Sequence, residues 1–258
     1  MKALKGNYEI IIIDDGSTDR TYQFAKSTGV KIIRHPYNKG YGAALKTGIR
    51  NAESDIIFFM DADLQHNPSD IPRLTRYIGR YDMVVGARTR KSKIPLLRRP
   101  GKKILAKVAN YLAGTKIPDL NSGFRAVKKE RVMKFLHILP NTFSFTTTLT
   151  LAFIKSGFDI RYVPIETPMR VGTSKIRPFR DGFSFLLMIL RTIVLFDPLK
   201  VFMPIASALF LSGIAYASYT IITDFDVPDT AVLLISMGLI IFIFALLSDQ
   251  ISALRREE

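Results

Sequence analysis

The stretch Phe58-Phe59-Met60-Asp61-Ala62-Asp63-Leu64-Gln65-His66 decides how this chain is read. It closes an apolar run, Ile56 to Met60, with two carboxylates separated by one small residue. A short apolar run bounded by polar residues reads as a buried parallel strand. Open α/β sheets bind ligands beyond the carboxyl ends of their strands, so Asp61 and Asp63 stand where a ligand is expected. Two hard oxygen donors there suit Mg²⁺ or Mn²⁺ shared with a diphosphate. An Asp-x-Asp pair also serves as an ordinary loop or helix cap, so its meaning depends on the rest of the chain.

Working outward, strand-like and helix-like segments alternate over the first 170 residues. Strands are expected at Glu9 to Ile13, Val30 to Ile33, Asp55 to Met60 and Met83 to Val85. Helices are expected at Asp19 to Thr28, Tyr41 to Asn51 and Pro68 to Arg80, the last opening at Asn67 or Ser69. This alternation predicts an α/β domain, Rossmann-like, with a mainly parallel sheet and helices on both faces. A second acidic strand end stands at Asp14-Asp15-Gly16-Ser17-Thr18-Asp19. Carboxylates there can accept hydrogen bonds from a nucleobase or ribose. Ser17 to Asp19 can also cap the next helix.

Composition narrows the classes. The 258 residues contain no cysteine, which excludes disulfides, thiolate metal sites and a cysteine nucleophile. The three histidines are scattered, which argues against zinc. Net charge is +15, with 35 of the 37 basic residues in the first 200 positions and six of the 22 acidic ones after them. A basic body calls for an anionic partner: nucleic acid, anionic lipid or phosphate-bearing substrates. The tail chooses among these. Val201 to Ile222 and Ala231 to Leu247 are uncharged and apolar, with the acidic Thr223 to Thr230 between them. Spans of roughly 17–25 such residues read as transmembrane helices. Positive charge lies before Val201 and at Arg255-Arg256, and the intervening loop has none, so both ends and the whole body are expected in the cytoplasm. No N-terminal signal peptide is visible. From Met83 to Pro118 there are ten basic residues and no acidic one, a stretch suited to lipid phosphate. Phe183 to Phe196 is too short to span and reads as a helix lying in the membrane interface. The hairpin and the acidic strand ends argue against nucleic acid. Gly213, Ala215, Ala217 and Gly238 offer small surfaces for packing between protomers, which would make a homo-oligomer.

Four motifs now stand in order: Asp14-Asp15-Gly16-Ser17-Thr18-Asp19-Arg20-Thr21, Asn38-Lys39-Gly40-Tyr41-Gly42-Ala43-Ala44, Asp61 to His66, and Asp119-Leu120-Asn121-Ser122-Gly123-Phe124-Arg125. Together they resemble a family 2 inverting glycosyltransferase of GT-A fold, most closely the branch of dolichyl-phosphate mannose synthases and polyprenyl-phosphate glycosyltransferases. The resemblance implies a GT-A domain over residues 1–178, an interfacial amphipathic helix over 179–198 and a transmembrane hairpin over 199–258. It implies a multi-pass protein of the cell membrane that transfers a hexose from a GDP- or UDP-linked sugar to polyprenyl or dolichyl phosphate.

The resemblance also implies roles. Asp14, Asp15, Asp61, Ala62, Gln65, Arg170 and Lys175 would bind the donor, and Asp61, Asp63 and Gln65 would hold the cation. Arg88, Arg98, Arg99, Lys102 and Ser122 would take the lipid phosphate. Asp119, Arg125 and Asp63 would form the catalytic group. Members of the family begin with a further strand, a Pro-x-Tyr-Asn-Glu segment and a long helix. This chain starts near the end of that helix, so part of the base pocket is expected to be missing. Processive polymer synthases of the family carry Gln-x-x-Arg-Trp, and this chain has no tryptophan. Other readings are a transferase with a diacylglycerol or polysaccharide acceptor, or an inactive membrane scaffold.

Overall fold

The computed structural model describes residues 8–88, 107, 110, 111, 113–167, 187 and 189–257. These fall into two compact units, one drawn from Met1–Asn110 and Thr115–Phe185, the other from Tyr111–Gly114 and Leu186–Glu258.

The first unit runs β1 (Ile11–Asp14), α1 (Thr21–Ser27), β2 (Lys31–Arg34), α2 (Tyr41–Asn51), β3 (Ile56–Phe59), a 3-10 turn (Pro68–Asp70), α3 (Ile71–Thr75), β4 (Met83–Arg88), β5 (Arg125–Lys128), α4 (Lys129–Phe135), α5 (Phe145–Lys155) and β6 (Ile160–Ile165). β1 and β2 pair in parallel as one sheet, and a second sheet has the order β3-β5-β4-β6. The α/β class and the mainly parallel strand direction are as expected, with one reversed strand, β5, inserted in the second sheet. β4 and β6 are parallel, whereas β5 runs antiparallel to both its neighbours. Antiparallel strands need no crossover helix, so the four residues after Phe124 can slot between β3 and β4. Among the described residues, β1 and β3 each keep one edge without a strand partner.

The Met83–Ala87 part of β4 is buried. On one face of the sheet Val84, Phe124, Ala126, Val163 and Ile165 pack under Ile71, Leu74 and Ile78. Residues beside them in the pleat, Met83, Val85 and Arg125, face the other way, toward α5. α5 is itself buried from Phe145 to Phe153. The helix expected over Pro68 to Arg80 is shorter. It opens on the 3-10 turn, with Asn67 accepting from the Ser69 amide at 3.0 Å. Beyond Thr75 it tightens into i to i+3 hydrogen bonds at Tyr77, Ile78 and Arg80.

α2 has no side-chain cap. Its first amides, Gly42 and Ala43, donate instead to the carbonyl of Asn141 at 2.9 and 3.3 Å. This works because Gly40 and Gly42 carry no Cβ. One added at either would collide with the Pro140–Asn141 backbone. The Gly-Tyr-Gly sequence thus lets a turn from one hundred residues away dock on the helix start.

In the second unit, α6 (residues 189–196) leads into α7 (Leu199–Asp224) and α8 (Asp229–Glu257). Ile189, Thr192, Ile193 and Phe196 form a buried stripe, with Arg191 exposed. The chain reverses at Phe225, in the left-handed region at φ 52°, and the Pro228 carbonyl accepts from Ala231 to start α8. Both helices are long and apolar enough to cross a membrane, and only 17% of each window is buried. What is buried is small and seven residues apart: Ala206, Gly213 and Thr220 on α7, and Ala231, Gly238, Ala245 and Ser252 on α8. A strict seven-residue seam specifies a left-handed crossing. A Cβ on Gly213 would stand 2.7 Å from Ile235 Cγ1, and one on Gly238 would stand 2.8 Å from the Phe210 amide nitrogen. These two glycines, offered by the sequence for contacts between protomers, are used inside the hairpin instead. Ala215 is exposed and Ala217 half-buried.

Candidate active site

The strand-end carboxylates follow β3 as expected. Asp61 is half-buried and Asp63 exposed. Tyr41 donates its hydroxyl to Asp61 Oδ1 at 2.9 Å. Burial, and then the charge of Asp61, push the Tyr41 phenol far above its ordinary value, so it stays a neutral donor. The other oxygen of Asp61 lies against Gly123, where an added Cβ would overlap it. Asp63 Oδ1 accepts from the Gln65 amide at 3.1 Å across a tight turn. Leu64, inside that turn, takes φ +62° and is 89% exposed. For a leucine that conformation costs roughly 1–2 kcal/mol. Strain of this kind concentrates at ligand-binding loops. Ala62 is exposed and Gln65 half-buried beside it.

A second carboxylate group meets the first. Arg88, the last residue of β4, grips Asp119 with two parallel bonds, Nε to Oδ2 at 2.7 Å and Nη2 to Oδ1 at 3.0 Å. Burial alone would raise the Asp119 carboxyl, but the Arg88 hydrogen bonds and charge outweigh it and hold the group below its ordinary value. His66 stacks on Phe124 with ring centroids 4.8 Å apart, and its Nδ1 is buried with no hydrogen-bond partner. Burial lowers the His66 pKa, aided by Arg88 and opposed by Asp61, Asp63 and Asp119, so the ring is neutral. The Asp119–Arg125 segment brings these groups together: Gly123 lies against Asp61, Phe124 stacks on His66, and Asp119 holds Arg88. The charges of Asp61, Asp63, Arg88 and Asp119 all act on the His66 ring.

Two expected site residues lie behind that surface. Arg125 is completely buried. It donates to the Ser122 carbonyl through Nε at 3.0 Å and through Nη2, and its Nη1 reaches the Thr146 carbonyl at 3.0 Å and Thr150 Oγ1 at 2.9 Å. Burial lowers its pKa, and its hydrogen-bond partners among the described residues include no carboxylate. From this enclosed position Arg125 staples the Asn121–Phe124 turn to α5. Ser122 is 1% exposed, and its hydroxyl accepts from the Phe124 amide at 3.3 Å. That hydrogen bond is internal to the turn.

The β1 end differs too. Asp14 is 4% exposed, pairs with Arg34 Nε at 3.1 Å and accepts from the Ser17 amide, so it shapes its own loop. Asp15 Oδ1 takes His35 Nδ1 at 2.6 Å and the Lys39 amide at 2.9 Å, and its Oδ2 takes the Gly40 amide at 2.8 Å. It ties the β1 loop to the start of α2. Arg98, Arg99, Lys102, Arg170 and Lys175 lie outside the described residues. Sequence reading gave no role to Tyr41, His35 or His66, although all three fall in or beside quoted motifs.

Among the described residues no group of three or more His, Cys, Asp or Glu side chains gathers to hold a metal. Two neighbouring carboxylates still fit a hard cation that takes its remaining ligands from diphosphate and water. Asp61 Oδ2 accepts no hydrogen bond from a described residue, which leaves it available.

Residues 2–136 match Glycosyl transferase family 2. The chain belongs to this family. Residues 197–254 match the GtrB C-terminal hairpin. The dolichyl-phosphate hexose transferase of Haloferax volcanii is 29% identical over 180 residues, 69% of this chain and 77% of that one. The undecaprenyl-phosphate 4-deoxy-4-formamido-L-arabinose transferase of Pectobacterium carotovorum is 30% identical over 221 residues, 81% of this chain but 64% of that protein's length. The fold is shared with glucosyl-3-phosphoglycerate synthase of Mycobacterium tuberculosis, solved with Mn²⁺, UDP-glucose and phosphoglyceric acid. That match has a TM-score of 0.55 at 18% identity and covers 71% of this glycosyltransferase and 68% of the other chain.

Proposed function

We propose that this glycosyltransferase moves a hexose from a nucleotide sugar to a polyprenyl or dolichyl phosphate at the cytoplasmic face of a membrane. The observation that carries the reading is the convergence of Asp61 and Asp63 with the Arg88–Asp119 pair around His66, in a chain that ends in an apolar hairpin. The names of the relatives support the acceptor class, and the basic stretch before Pro118 supports an anionic lipid surface. The GT-A domain over 1–178, the interfacial helix over 179–198 and the hairpin over 199–258 belong to the same proposal.

The reaction breaks the bond between the sugar C1 and the β-phosphate oxygen and forms one from C1 to the acceptor phosphate oxygen. Negative charge builds on the departing diphosphate. Mg²⁺ or Mn²⁺, held by Asp61 and Asp63 with Gln65 beside them, would neutralise part of that charge. Arg88 supplies more. Of its five side-chain N–H donors, two go to Asp119, and the others can face the phosphate. Fixed donors aimed at developing charge are the largest catalytic contribution in such sites. An acceptor phosphate monoester is mostly dianionic at neutral pH, with a second pKa of about 6, so it needs no strong base. Asp119 suits this. With its pKa lowered it is a poor proton acceptor and serves to aim Arg88. Arg98, Arg99 and Lys102 are assigned to the lipid phosphate, and Arg170 and Lys175 to the donor phosphates. A single displacement inverts the anomeric centre.

The test offers the full-length protein in detergent either GDP-mannose or UDP-glucose, with Mn²⁺ and a choice of polyprenyl phosphate or diacylglycerol. The expected product is a β-linked glycosyl phosphate lipid, recognised by the anomeric coupling in NMR. Glycosylated diacylglycerol, or a retained α linkage, would overturn the reading.

A further inference from the structure

Among the described residues of the first unit, Phe143 is the most exposed aromatic. It is 83% exposed, on the turn between α4 and α5. Exposed phenylalanine on a polar turn carries a solvation cost unless something covers it. This one is firmly mounted. One face stacks on Tyr41, with centroids 5.3 Å apart and planes 16° from parallel, and the Tyr41 hydroxyl is bonded to Asp61. The turn itself is clamped, because the Asn141 carbonyl accepts from the first amides of α2 and its side chain accepts from Lys46 Nζ at 2.9 Å. Two residues on, Phe145 is fully buried. Among the described residues, no other ring stacks on Phe143.

We propose that Phe143, backed by Tyr41, is the platform against which the transferred sugar ring lies, and so a specificity-determining residue. The inference rests on the donor reading given above. A sugar ring has an apolar C–H face and a hydroxyl edge, and sites for such ligands pair an aromatic surface with a few placed polar groups. Here the polar groups stand alongside. Thr142 and Ser144 flank the ring and bond to each other at 2.7 Å. Asn121 is tied through Thr147 Oγ1 at 2.6 Å and through its own amide to Asp119. The connectivity of the donor points the same way. The sugar is bonded directly to the diphosphate that Asp61 serves, whereas the base is held off by a ribose. A ring one stacking distance from the Asp61 partner is therefore placed for the sugar.

Binding tests this without turnover. Full-length protein in detergent with Mn²⁺ is titrated calorimetrically with UDP, UDP-glucose, GDP and GDP-mannose, for the natural chain, Phe143→Ala and Phe143→Trp. The platform predicts that Phe143→Ala weakens the preferred nucleotide sugar by roughly tenfold, leaves the matching nucleoside diphosphate within about twofold, and is rescued by tryptophan. Equal weakening of nucleotide and nucleotide sugar would overturn the proposal in favour of base stacking. Unchanged binding of both, with loss of co-flotation with vesicles, would overturn it in favour of membrane insertion of the ring. Failure of the natural chain to bind any of the four would sink the donor reading and this inference together. Binding of a nucleotide sugar that Phe143→Ala leaves intact sinks the inference alone.

Discussion

Gly123 is the residue on which the cation site turns most sharply. Its missing side chain is what lets Asp61 occupy its place, since a Cβ would overlap the Asp61 carboxylate. Gly123→Ala should therefore displace Asp61 while leaving the buried Arg125 staple behind it in place. Mn²⁺ binding followed by electron paramagnetic resonance in the presence of UDP should weaken at least about tenfold, within the range for disturbed metal-site support. Unchanged affinity would place the cation elsewhere. Asp119 gives a pH prediction. Its folded pKa lies below the ordinary value, so the unfolded chain binds the proton first as pH falls. The stability from the Arg88–Asp119 pair is fully present above the ordinary carboxylate pKa of about 3.9 and is lost as pH falls below it. Denaturation midpoints at pH 5 and pH 3 should differ less for Asp119→Asn than for the natural chain, and equal differences would refute the pairing. The strand-end positions of Asp61 and Asp63 were legible because they follow from one apolar run. The burial of Arg125 was not. Arginine is almost never fully enclosed, and only the folded turn supplies the carbonyls that satisfy it.

Among the elements, α2 and its docking turn carry the site. The Pro140–Asn141 backbone caps α2, and α2 in turn presents Tyr41 to Asp61 and its Gly40 amide to Asp15. Gly42→Ala should force that backbone away and destabilise the first unit by roughly 1–3 kcal/mol, as overpacking does. Urea titration followed by circular dichroism checks this, and a change below about 0.5 kcal/mol would mean the turn yields freely. The extent of α2 itself was legible from its helical spacing, and its partner was not, because nothing local links Gly42 to Asn141. β5 was equally hidden. Its four residues, Arg125 to Lys128, give too short a run for a period, and they become a strand only when inserted between β3 and β4. The hairpin shows the opposite case. Its two spans were evident from composition, and the seven-residue seam of small residues could also have been read from the sequence.

Over the whole molecule, charge and hydrophobicity are separated. The basic residues precede Val201 or sit at Arg255-Arg256, and the loop between the two apolar helices is acidic. This predicts that the loop crosses to the far side and both ends stay in the cytoplasm. With no native cysteine, Asp226→Cys and Lys134→Cys each introduce a single thiol. A membrane-impermeant maleimide should label the first in intact cells and the second only after lysis. The reverse pattern would invert the orientation. The most direct measurement of all is label transfer in membranes. Radiolabelled GDP-mannose and UDP-glucose are supplied with dolichyl phosphate and Mn²⁺, to the natural chain and to Asp63→Ala. Label from one donor should enter the organic phase and fall at least about a hundredfold in the variant. Transfer that survives Asp63→Ala undiminished would contradict the assignment of the strand-end carboxylates to the reaction.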